Sequence, residues 1–309
     1  MSYTSAHSVA SLVSIGMPVF NCESTIAPAI QSILNQTFFD WELLVLDDGS
    51  SDNTVRVAQA FGDRRIRVFC DSSHRGLAVR LNEAIDASRG KYFARMDGDD
   101  VSYPQRLALQ LHYLEQHPEV NLLGGAVLVF GRDGQALGTR ECPTIHERIC
   151  RRPWAGLYLA HPTWMGQTEW FRTHYYRSAA VRCEDQDLLV RTYKCSRFAA
   201  LPDIVLGYRE EAISLKKLLV GRLSFVCSVL RMATRRRGYF LVVAAIVNQT
   251  LKGVTDSVAV STNLSREILR HRALPVSEAA KLRWSEVWEA ARARPLSVCP
   301  DYPSIAGEK

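Results

Sequence analysis

A short acidic segment, DGDD at residues 97–100, follows an apolar stretch at residues 92–96. An Asp-x-Asp pair in a tight loop supplies hard oxygen ligands, and Mg²⁺ or Mn²⁺ typically binds one or two such carboxylates together with substrate phosphates. Asp97 and Asp99 are therefore candidate ligands of a divalent cation that neutralises a departing diphosphate. The alternative interpretation is an acidic surface turn.

Two further acidic segments have residue types suited to a nucleotide site or to acid–base chemistry. DDGS at residues 47–50 also follows an apolar run, and its Asp48 can contact a nucleotide or cap the next helix. EDQD at residues 184–187 precedes a helical pattern. A carboxylate there can act as general base toward an acceptor hydroxyl, or it can be only an acidic helix N-terminus.

Two other nucleotide-binding patterns are missing from the sequence. The first apolar run leads into PVFN at residues 18–21 without a glycine cluster, and no P-loop is present. A dinucleotide-dependent enzyme and an ATP hydrolase are therefore disfavoured. A nucleotidyltransferase usually needs a Gly-rich loop and a basic residue near the first strand, and neither is evident.

The segments that must position these acidic loops alternate between apolar runs typical of buried strands and apolar residues at helical spacing. Apolar runs predict strands at Leu12–Val19, Leu43–Leu46, Ile66–Phe69, Tyr92–Met96 and Leu122–Phe130. Between these runs lie segments with apolar residues on one face of a predicted helix. This alternation predicts an α/β fold with a mostly parallel central sheet. Since ligands bind at the carboxyl ends of such strands, the acidic loops at 47–53 and 97–100 should meet at one edge.

The net charge of +6 is concentrated in one segment. Residues 213–255 carry eight basic residues and no Asp or Glu, so the rest of the chain has a net charge of −2. This local basicity argues against a nucleic-acid binder. The apolar runs there are too short for a membrane span, which needs about 20 residues. We expect amphipathic helices on an anionic membrane surface, or else a helical cap packed on the catalytic domain.

The eight cysteines are widely spaced and form no C-x-x-C pair, which fits neither a zinc site nor a disulfide scaffold. The start of the sequence is polar and lacks a basic n-region, so we expect no secretory signal. The expected protein has reduced thiols and is cytoplasmic, peripheral at the inner face of the cell membrane.

Several motifs together resemble glycosyltransferase family 2. They are, in chain order, PVFN at 18–21, SILNQT at 32–37, DDGSSDNT at 47–54, NEAI at 82–85, ARMDGDD at 94–100, HPT at 161–163 and EDQDLL at 184–189. The resemblance covers about residues 14–210. It implies a GT-A type nucleotide-sugar-binding fold and inverting transfer from a nucleotide-diphospho-sugar, a UDP-sugar by default. The acceptor would be a carbohydrate or lipid-linked hydroxyl.

Matching to the family motifs assigns roles to individual residues. Asp185 matches the catalytic base. Asp99 would bind the metal (Mn²⁺ or Mg²⁺), and Asp97 would contact the ribose or the metal-bound diphosphate. Phe20 and Asp48 would hold the base and ribose, although the family more often has Tyr at the position of Phe20. Further nucleotide-sugar-binding candidates are Pro18, Asn21, Arg75 and Gly98.

Residues on the acceptor side are His161, Trp164, Glu184 and Arg191. Each has a structural alternative. His161 can be a structural histidine, Trp164 can pack in the core instead of stacking on a sugar, and Arg191 can pair with Asp187 four residues earlier. Arg75 can likewise face solvent instead of the diphosphate.

The expected domain organisation has three parts. Residues 1–212 form the GT-A catalytic domain, with the nucleotide-sugar-binding half at 1–116 and the acceptor half at 117–212. Residues 213–294 form the basic helical region, and 295–309 form a flexible tail. The alternative function is a non-catalytic or nucleotidyltransferase-like protein that binds nucleotide sugars at the membrane surface.

Overall fold

The structure of the protein is a computed structural model that describes residues 12–210, 214–233, 236–262 and 274–293. The tail expected at 295–309 lies outside these residues. The seven cysteines in the described part of the chain are free thiols.

The first half of the chain forms a parallel sheet. Its strands are β1 (Val13–Val19), β2 (Trp41–Asp47), β3 (Ile66–Phe69) and β4 (Tyr92–Arg95), and they are connected by α1 (Ile26–Leu34), α2 (Thr54–Gln59) and α3 (Leu77–Ala87). The spatial order is β3-β2-β1-β4, and all neighbours pair in parallel. Every residue of β1 and β2 is buried, as expected when helices cover both faces of a parallel sheet.

The second half extends the same sheet with mixed pairing. Its strands are β5 (Val101–Ser102), β6 (Leu122–Phe130), β7 (Ala136–Arg140), β8 (Met165–Gln167) and β9 (Phe198–Arg209), and its helices are α4 (Arg106–Gln116), α5 (His146–Ile149), α6 (Thr168–Thr173) and α7 (Glu184–Thr192). From β4 the order continues β8-β6-β9-β5, with β7 paired to β6. The β6–β9 pair is parallel, and the other neighbours are antiparallel.

The α/β fold with a mostly parallel sheet is confirmed, and the first half of the sheet follows the predicted strands. The antiparallel additions were not predicted. β5 and β8 have two and three residues, so they are too short to show a period in the sequence.

Two long helices, α8 (Leu215–Met232) and α9 (Arg236–Ser261), pack against each other. Their contact combines buried apolar residues, such as Phe225 and Val242, with hydrogen bonds: Arg222 Nε donates to Asp256 Oδ2 at 3.0 Å, and Arg222 Nη1 donates to Gln249 Oε1 at 3.0 Å. α8 also contacts α7. Among the helices of the described residues, none combines the length and the apolar character needed to cross a membrane.

The last described helix, α10 (Glu278–Arg292), packs on the sheet edge. Trp284 is buried there, and its Nε1 donates to the carbonyl of Gly134 at 2.7 Å. A Cβ on Gly207 of β9 would lie 2.3 Å from the Trp284 ring, so the close approach requires glycine. The expected domain boundary at residue 213 placed α10 in a separate part of the chain, whereas α10 packs on the sheet formed by residues before 213.

We predict that Trp284→Ala lowers the free energy of unfolding by roughly 3–5 kcal/mol, because it removes a buried aromatic ring and leaves a cavity. Leu282→Ala, on the exposed side of the same helix, should change it by less than about 0.5 kcal/mol. Equilibrium denaturation by urea measures both values. Equal losses in the two variants would contradict the docking of α10 on the sheet.

Candidate active site

Three carboxylates lie together in the loop after β4. Oxygen atoms of Asp97, Asp99 and Asp100 all lie within 4.8 Å of one another. Asp97 and Asp99 were predicted to bind a metal, and the structure brings them together. Asp100 was not predicted, although it is the next acidic residue of the same segment.

Gly98 lets this loop cross the end of β1. A Cβ at Gly98 would lie 2.7 Å from Val19 Cγ1, which leaves no room for a side chain. The carbonyl of Gly98 accepts a hydrogen bond from Thr25 Oγ1 at 3.1 Å. The glycine between the two aspartates is therefore a packing requirement, and its predicted contact with the nucleotide sugar stays a prediction.

The acidic loop has the donor chemistry of a divalent-cation site. Asp100 Oδ1 accepts the backbone N–H of Arg209 at 2.9 Å, whereas Asp100 Oδ2 is buried without a hydrogen-bond partner. Burial, followed by the charges of Asp99 and Asp97, raises the pKa of Asp100 well above its usual value. Clustered hard oxygens with an unsatisfied buried acceptor fit Mg²⁺ or Mn²⁺.

An aromatic pair and an anchored loop lie at the ends of β1 and β2. The Phe20 ring is about half exposed and lies 4.7 Å from the His74 ring. The Asp48 carboxylate is buried and accepts the backbone N–H groups of Arg75 at 2.7 Å and Gly76 at 3.0 Å. Asp48 therefore holds the loop that carries His74 beside Phe20.

Arg80 of α3 anchors the same loop and was missed in the sequence. Its guanidinium is buried and contacts Asp48 at 3.0 Å, Asp71 at 2.6 Å and Glu83 at 2.9 Å. The hydrogen bonds that Arg80 donates to Asp71 outweigh burial and raise the pKa of Arg80 above its usual value. The signal was available, because Arg80 lies on the otherwise apolar helical stripe that includes Leu81.

Three other nucleotide-side candidates have structural contacts of their own. Asn21 has a left-handed backbone (φ 51°), and its Oδ1 accepts the Ser51 N–H at 2.9 Å, which ties the ends of β1 and β2 together. Pro18 is buried within β1. Arg75 is half exposed and pairs with Glu83. Their predicted contacts with the nucleotide sugar stay predictions.

Two carboxylates, Glu184 and Asp185, begin α7. Burial, followed by the charge of Asp185, raises the pKa of Glu184 to about 7. Burial also raises the pKa of Asp185, against the hydrogen bonds of Gln186 and the charge of Arg95. A carboxylate with a raised pKa is a stronger general base than a solvated one, which suits proton removal from a hydroxyl.

Arg95, the last residue of β4, connects the two acidic groups and was not predicted. It is 3% exposed and donates from Nη2 to Asp97 Oδ1 at 2.5 Å. Burial opposes its charge, but Asp97, Asp100 and Glu184 outweigh this and raise the pKa of Arg95. Its Nε and Nη1 are buried without hydrogen-bond partners. One buried cation thus serves both the acidic loop and the start of α7.

The acceptor-side candidates divide between the site and the core. His161 Nε2 lies 2.9 Å from the Tyr176 hydroxyl, and burial together with the charge of Arg95 holds the pKa of His161 well below its usual value. Trp164 is fully buried, and its Nε1 donates to the Leu159 carbonyl at 3.1 Å. The expectation that Trp164 faces an acceptor is therefore corrected: its ring belongs to the core.

Arg191 connects α7 to the chain segment before Tyr176. Its Nε donates to Asp187 Oδ2 at 3.2 Å, which is the predicted pairing four residues apart, and its Nη2 donates to the His174 carbonyl at 3.1 Å. Arg191 therefore helps to position the helix that carries Glu184 and Asp185.

Solved structures with the same fold identify the class of protein. S. aureus TarS 1-349 in complex with UDP-GlcNAc aligns with a TM-score of 0.60 at 17% identity, over 90% of this chain and 81% of that one. The mannosyltransferase PcManGT from Pyrobaculum calidifontis, in complex with GDP-Man and Mn²⁺, aligns with a TM-score of 0.55 at 14% identity, over 92% and 86% of the two chains. The fold is the GT-A fold of glycosyltransferases.

The family follows from sequence. The model of the family described as Glycosyl transferase family 2 matches residues 14–176, and the chain belongs to this family. EpsE of Bacillus subtilis (strain 168), by name a glycosyltransferase, is 35% identical over 66% of this chain and 75% of its own length. WfgD of Escherichia coli, a UDP-Glc:alpha-D-GlcNAc-diphosphoundecaprenol beta-1,3-glucosyltransferase, is 42% identical over 32% of this chain and 40% of its own.

We predict that Glu184→Gln stabilises the protein more at pH 8 than at pH 5. The folded-state pKa of about 7 lies above the ordinary glutamate value of 4.5, so folding favours the protonated form and stability falls as pH rises from 4.5 through 7. Glutamine stays neutral and avoids this loss. The test is the difference in melting temperature between the variant and the wild type, measured at pH 5 and at pH 8. The exposed control Glu115→Gln should give equal differences at the two values, and a pH-independent difference for Glu184→Gln would refute the prediction.

Proposed function

We propose that this glycosyltransferase moves a sugar from a nucleotide-diphospho-sugar to an acceptor hydroxyl with inversion at the anomeric carbon. The observation that carries the proposal is the acidic loop after β4, where Asp97, Asp99 and Asp100 lie together and Asp97 accepts a hydrogen bond from the buried Arg95. UDP-sugars are the default donor: one solved structure of similar fold binds UDP-GlcNAc, and WfgD uses UDP-Glc by name. GDP-Man in PcManGT keeps a GDP-sugar open.

On the donor side, the half-exposed Phe20 ring offers a face on which the nucleotide base can stack. We assign Asp48, Pro18, Asn21, Gly98 and Arg75 to the same nucleotide-sugar side, because Asp48 anchors the loop of Arg75 and Asn21 ties the ends of β1 and β2 together. Asp99 and Asp97, with Asp100 beside them, would hold the divalent cation, Mn²⁺ or Mg²⁺. When bound, that cation neutralises the diphosphate leaving group.

On the acceptor side, Asp185 takes the proton of the attacking hydroxyl. Burial raises the pKa of Asp185, and the hydrogen bonds of Gln186 and the charge of Arg95 limit that rise. A raised pKa gives this carboxylate a higher proton affinity than a solvated aspartate has. His161 lies 2.9 Å from the Tyr176 hydroxyl, and burial holds its pKa well below the usual value; we propose that it belongs to the acceptor side.

We predict that Asp185→Asn and Asp99→Asn separate catalysis from donor binding. Asp185→Asn should reduce release of nucleoside diphosphate from the donor by roughly 10²–10⁴-fold, because the general base is lost. It should keep the rise in melting temperature that a nucleoside diphosphate gives with Mn²⁺. Asp99→Asn should lose that rise as well.

A panel of UDP, GDP and their sugars, with and without Mn²⁺, identifies the donor for this experiment. Asp203→Asn, an exposed aspartate of β9, is the matched control and should behave as wild type. Normal turnover in both Asp185→Asn and Asp99→Asn would overturn the site assignment.

We further propose that the enzyme works at the cytoplasmic face of the membrane on a lipid-linked or envelope polysaccharide acceptor, held there by residues 213–255. The α8–α9 hairpin supports this, because its few polar contacts face inward. The exposed side of α9 carries Tyr239, Phe240, Val243, Ile246, Val247, Leu251, Val254 and Val258.

Charge on this hairpin complements an anionic surface. Lys216, Lys217 and Arg231 are exposed on α8, and the acidic residue of the described hairpin (214–233 and 236–262), Asp256, is buried against Arg222. An apolar face bordered by basic side chains is the pattern of an interfacial helix. If a second copy of the protein covered this hairpin instead of a membrane, the basic side chains of the two copies would lie close together and repel each other.

We predict that Phe240→Ser with Val247→Ser weakens binding to phosphatidylglycerol vesicles roughly tenfold or more, because two large side chains no longer insert into lipid. Co-sedimentation of the full chain measures this, since truncation would remove Trp284 from the core. Leu137→Ser with Leu282→Ser, equally exposed elsewhere, is the control. Unchanged vesicle binding by the first double variant would contradict a membrane-facing hairpin.

A further inference from the structure

Two adjoining cavities form a groove beside the carboxylate pair of α7. The first, of about 620 Å³, lies against the segment 148–158, and the second, of about 260 Å³, lies against α8 and α9. Four residues line both cavities, namely Ala155, Gly156, Gln186 and Lys252. Lys252 Nζ donates to the Ala155 carbonyl at 2.7 Å, which ties the segment to α9. The two cavities therefore form one continuous groove, named here the basic groove.

Unpaired cations surround the basic groove. Its lining includes Arg148, Arg151, Arg152, Arg182 and Lys217, all of them exposed. Within the described residues none of these five forms a side-chain ion pair. The nearby Glu147 lies 3.7 Å from Arg197 instead. Side chains of a single sign around a concave surface concentrate a field that attracts anions.

The floor of the basic groove reaches the proposed base. The Gln186 side chain accepts the Leu157 N–H at 2.9 Å and donates to the Leu157 carbonyl at 2.9 Å. The same amide nitrogen also donates a hydrogen bond to Asp185 Oδ2 at 3.2 Å. A molecule in the groove is therefore separated from Asp185 by one side chain, so the groove is placed to hold the acceptor.

We propose that the basic groove binds the phosphate groups of an acceptor whose sugar is linked through a phosphate or diphosphate. This inference rests on the proposed function and names its acceptor class. Arginine forks match phosphate oxygens in geometry and charge. The donor diphosphate has its own proposed place at the acidic loop, whose residues do not line the basic groove, so the two anionic groups would bind to different residues.

The acceptor phosphates stay intact in this reaction. The acceptor O–H bond breaks and its proton passes to Asp185, while the oxygen forms a bond to the anomeric carbon of the donor sugar. The bond from that carbon to the donor phosphate oxygen breaks, and the nucleoside diphosphate leaves with the electron pair. The basic groove only holds the acceptor in place.

The source of the phosphate is a lipid-linked sugar. The same α8 and α9 that wall the groove carry the exposed apolar side chains on their outer side. A diphosphate at the level of lipid headgroups would therefore meet the groove while its hydrocarbon remains in the membrane. A soluble sugar phosphate has the same charge and is the other source that the experiment distinguishes.

Calorimetry tests the proposal by measuring the affinity of the full chain for three compounds: geranyl diphosphate, geraniol and inorganic pyrophosphate. EDTA is present, so that no cation at the acidic loop recruits phosphate. Arg151→Gln with Arg152→Gln should weaken geranyl diphosphate binding roughly tenfold or more, and added salt should weaken it in wild type. Arg132→Gln, an exposed arginine of the turn between β6 and β7, is the matched control and should bind as wild type.

Each result of these measurements supports or overturns a different part of the proposal. Equal affinity in the double variant and wild type, or geraniol binding as tightly as geranyl diphosphate, would overturn phosphate recognition. Pyrophosphate binding as tightly as geranyl diphosphate would support the phosphate site and overturn the lipid source. The Mn²⁺-dependent response of the same variants to nucleoside diphosphates reports separately on the donor site, so failure of the groove and failure of the proposed function can be told apart.

Discussion

The burial of one guanidinium, that of Arg95, constrains the rest of the active site. A charge removed from water costs several kcal/mol unless opposite charges compensate it. Arg95 is compensated from two directions, by Asp97 on its own loop and by Glu184 on α7. Asp97 and Asp100 directly follow β4 in the chain, whereas Glu184 lies on α7 in the mixed half of the sheet, so the part of the compensation that comes from Glu184 requires both halves to be assembled. The compensation also leaves the carboxylates of α7 less basic than burial alone would make them.

Much of the site follows from residue type and position in the chain. Asp97, Asp99 and Asp185 lie after a strand or at the start of a helix, where ligands of α/β sheets bind, and family motifs add their roles. Arg95 could not be recognised in this way, because an arginine at the end of a strand is usually solvated. Its burial depends on β8 and α7, which are distant in sequence. Trp164 illustrates the converse: aromatic character alone does not tell a sugar platform from a core side chain.

The fold was predictable where a strand or helix is long enough to show a hydrophobic period in the sequence. It was not predictable where the element is too short to show one. The strands of the parallel half each follow an apolar run, whereas β5 and β8 exist only through pairing with distant partners. The orientation of α9 was equally inaccessible. Beyond Arg236 and Arg237 at its start, α9 has two charged residues, Lys252 at the groove and Asp256 against Arg222. Two residues are too few to define a polar side in the sequence.

The packing of α10 against β9 has a consequence for synthesis. A chain folds from its N-terminus as it emerges, at about 5–20 residues per second. The apolar surface around Phe130 and Gly207 therefore stays uncovered until Trp284 has been made. The α8–α9 hairpin precedes Trp284 in the chain, so it emerges while the sheet edge is still open. If the proposed binding of that hairpin to lipid takes place during synthesis, it precedes closure of the domain, and the nascent chain then completes its fold on the membrane.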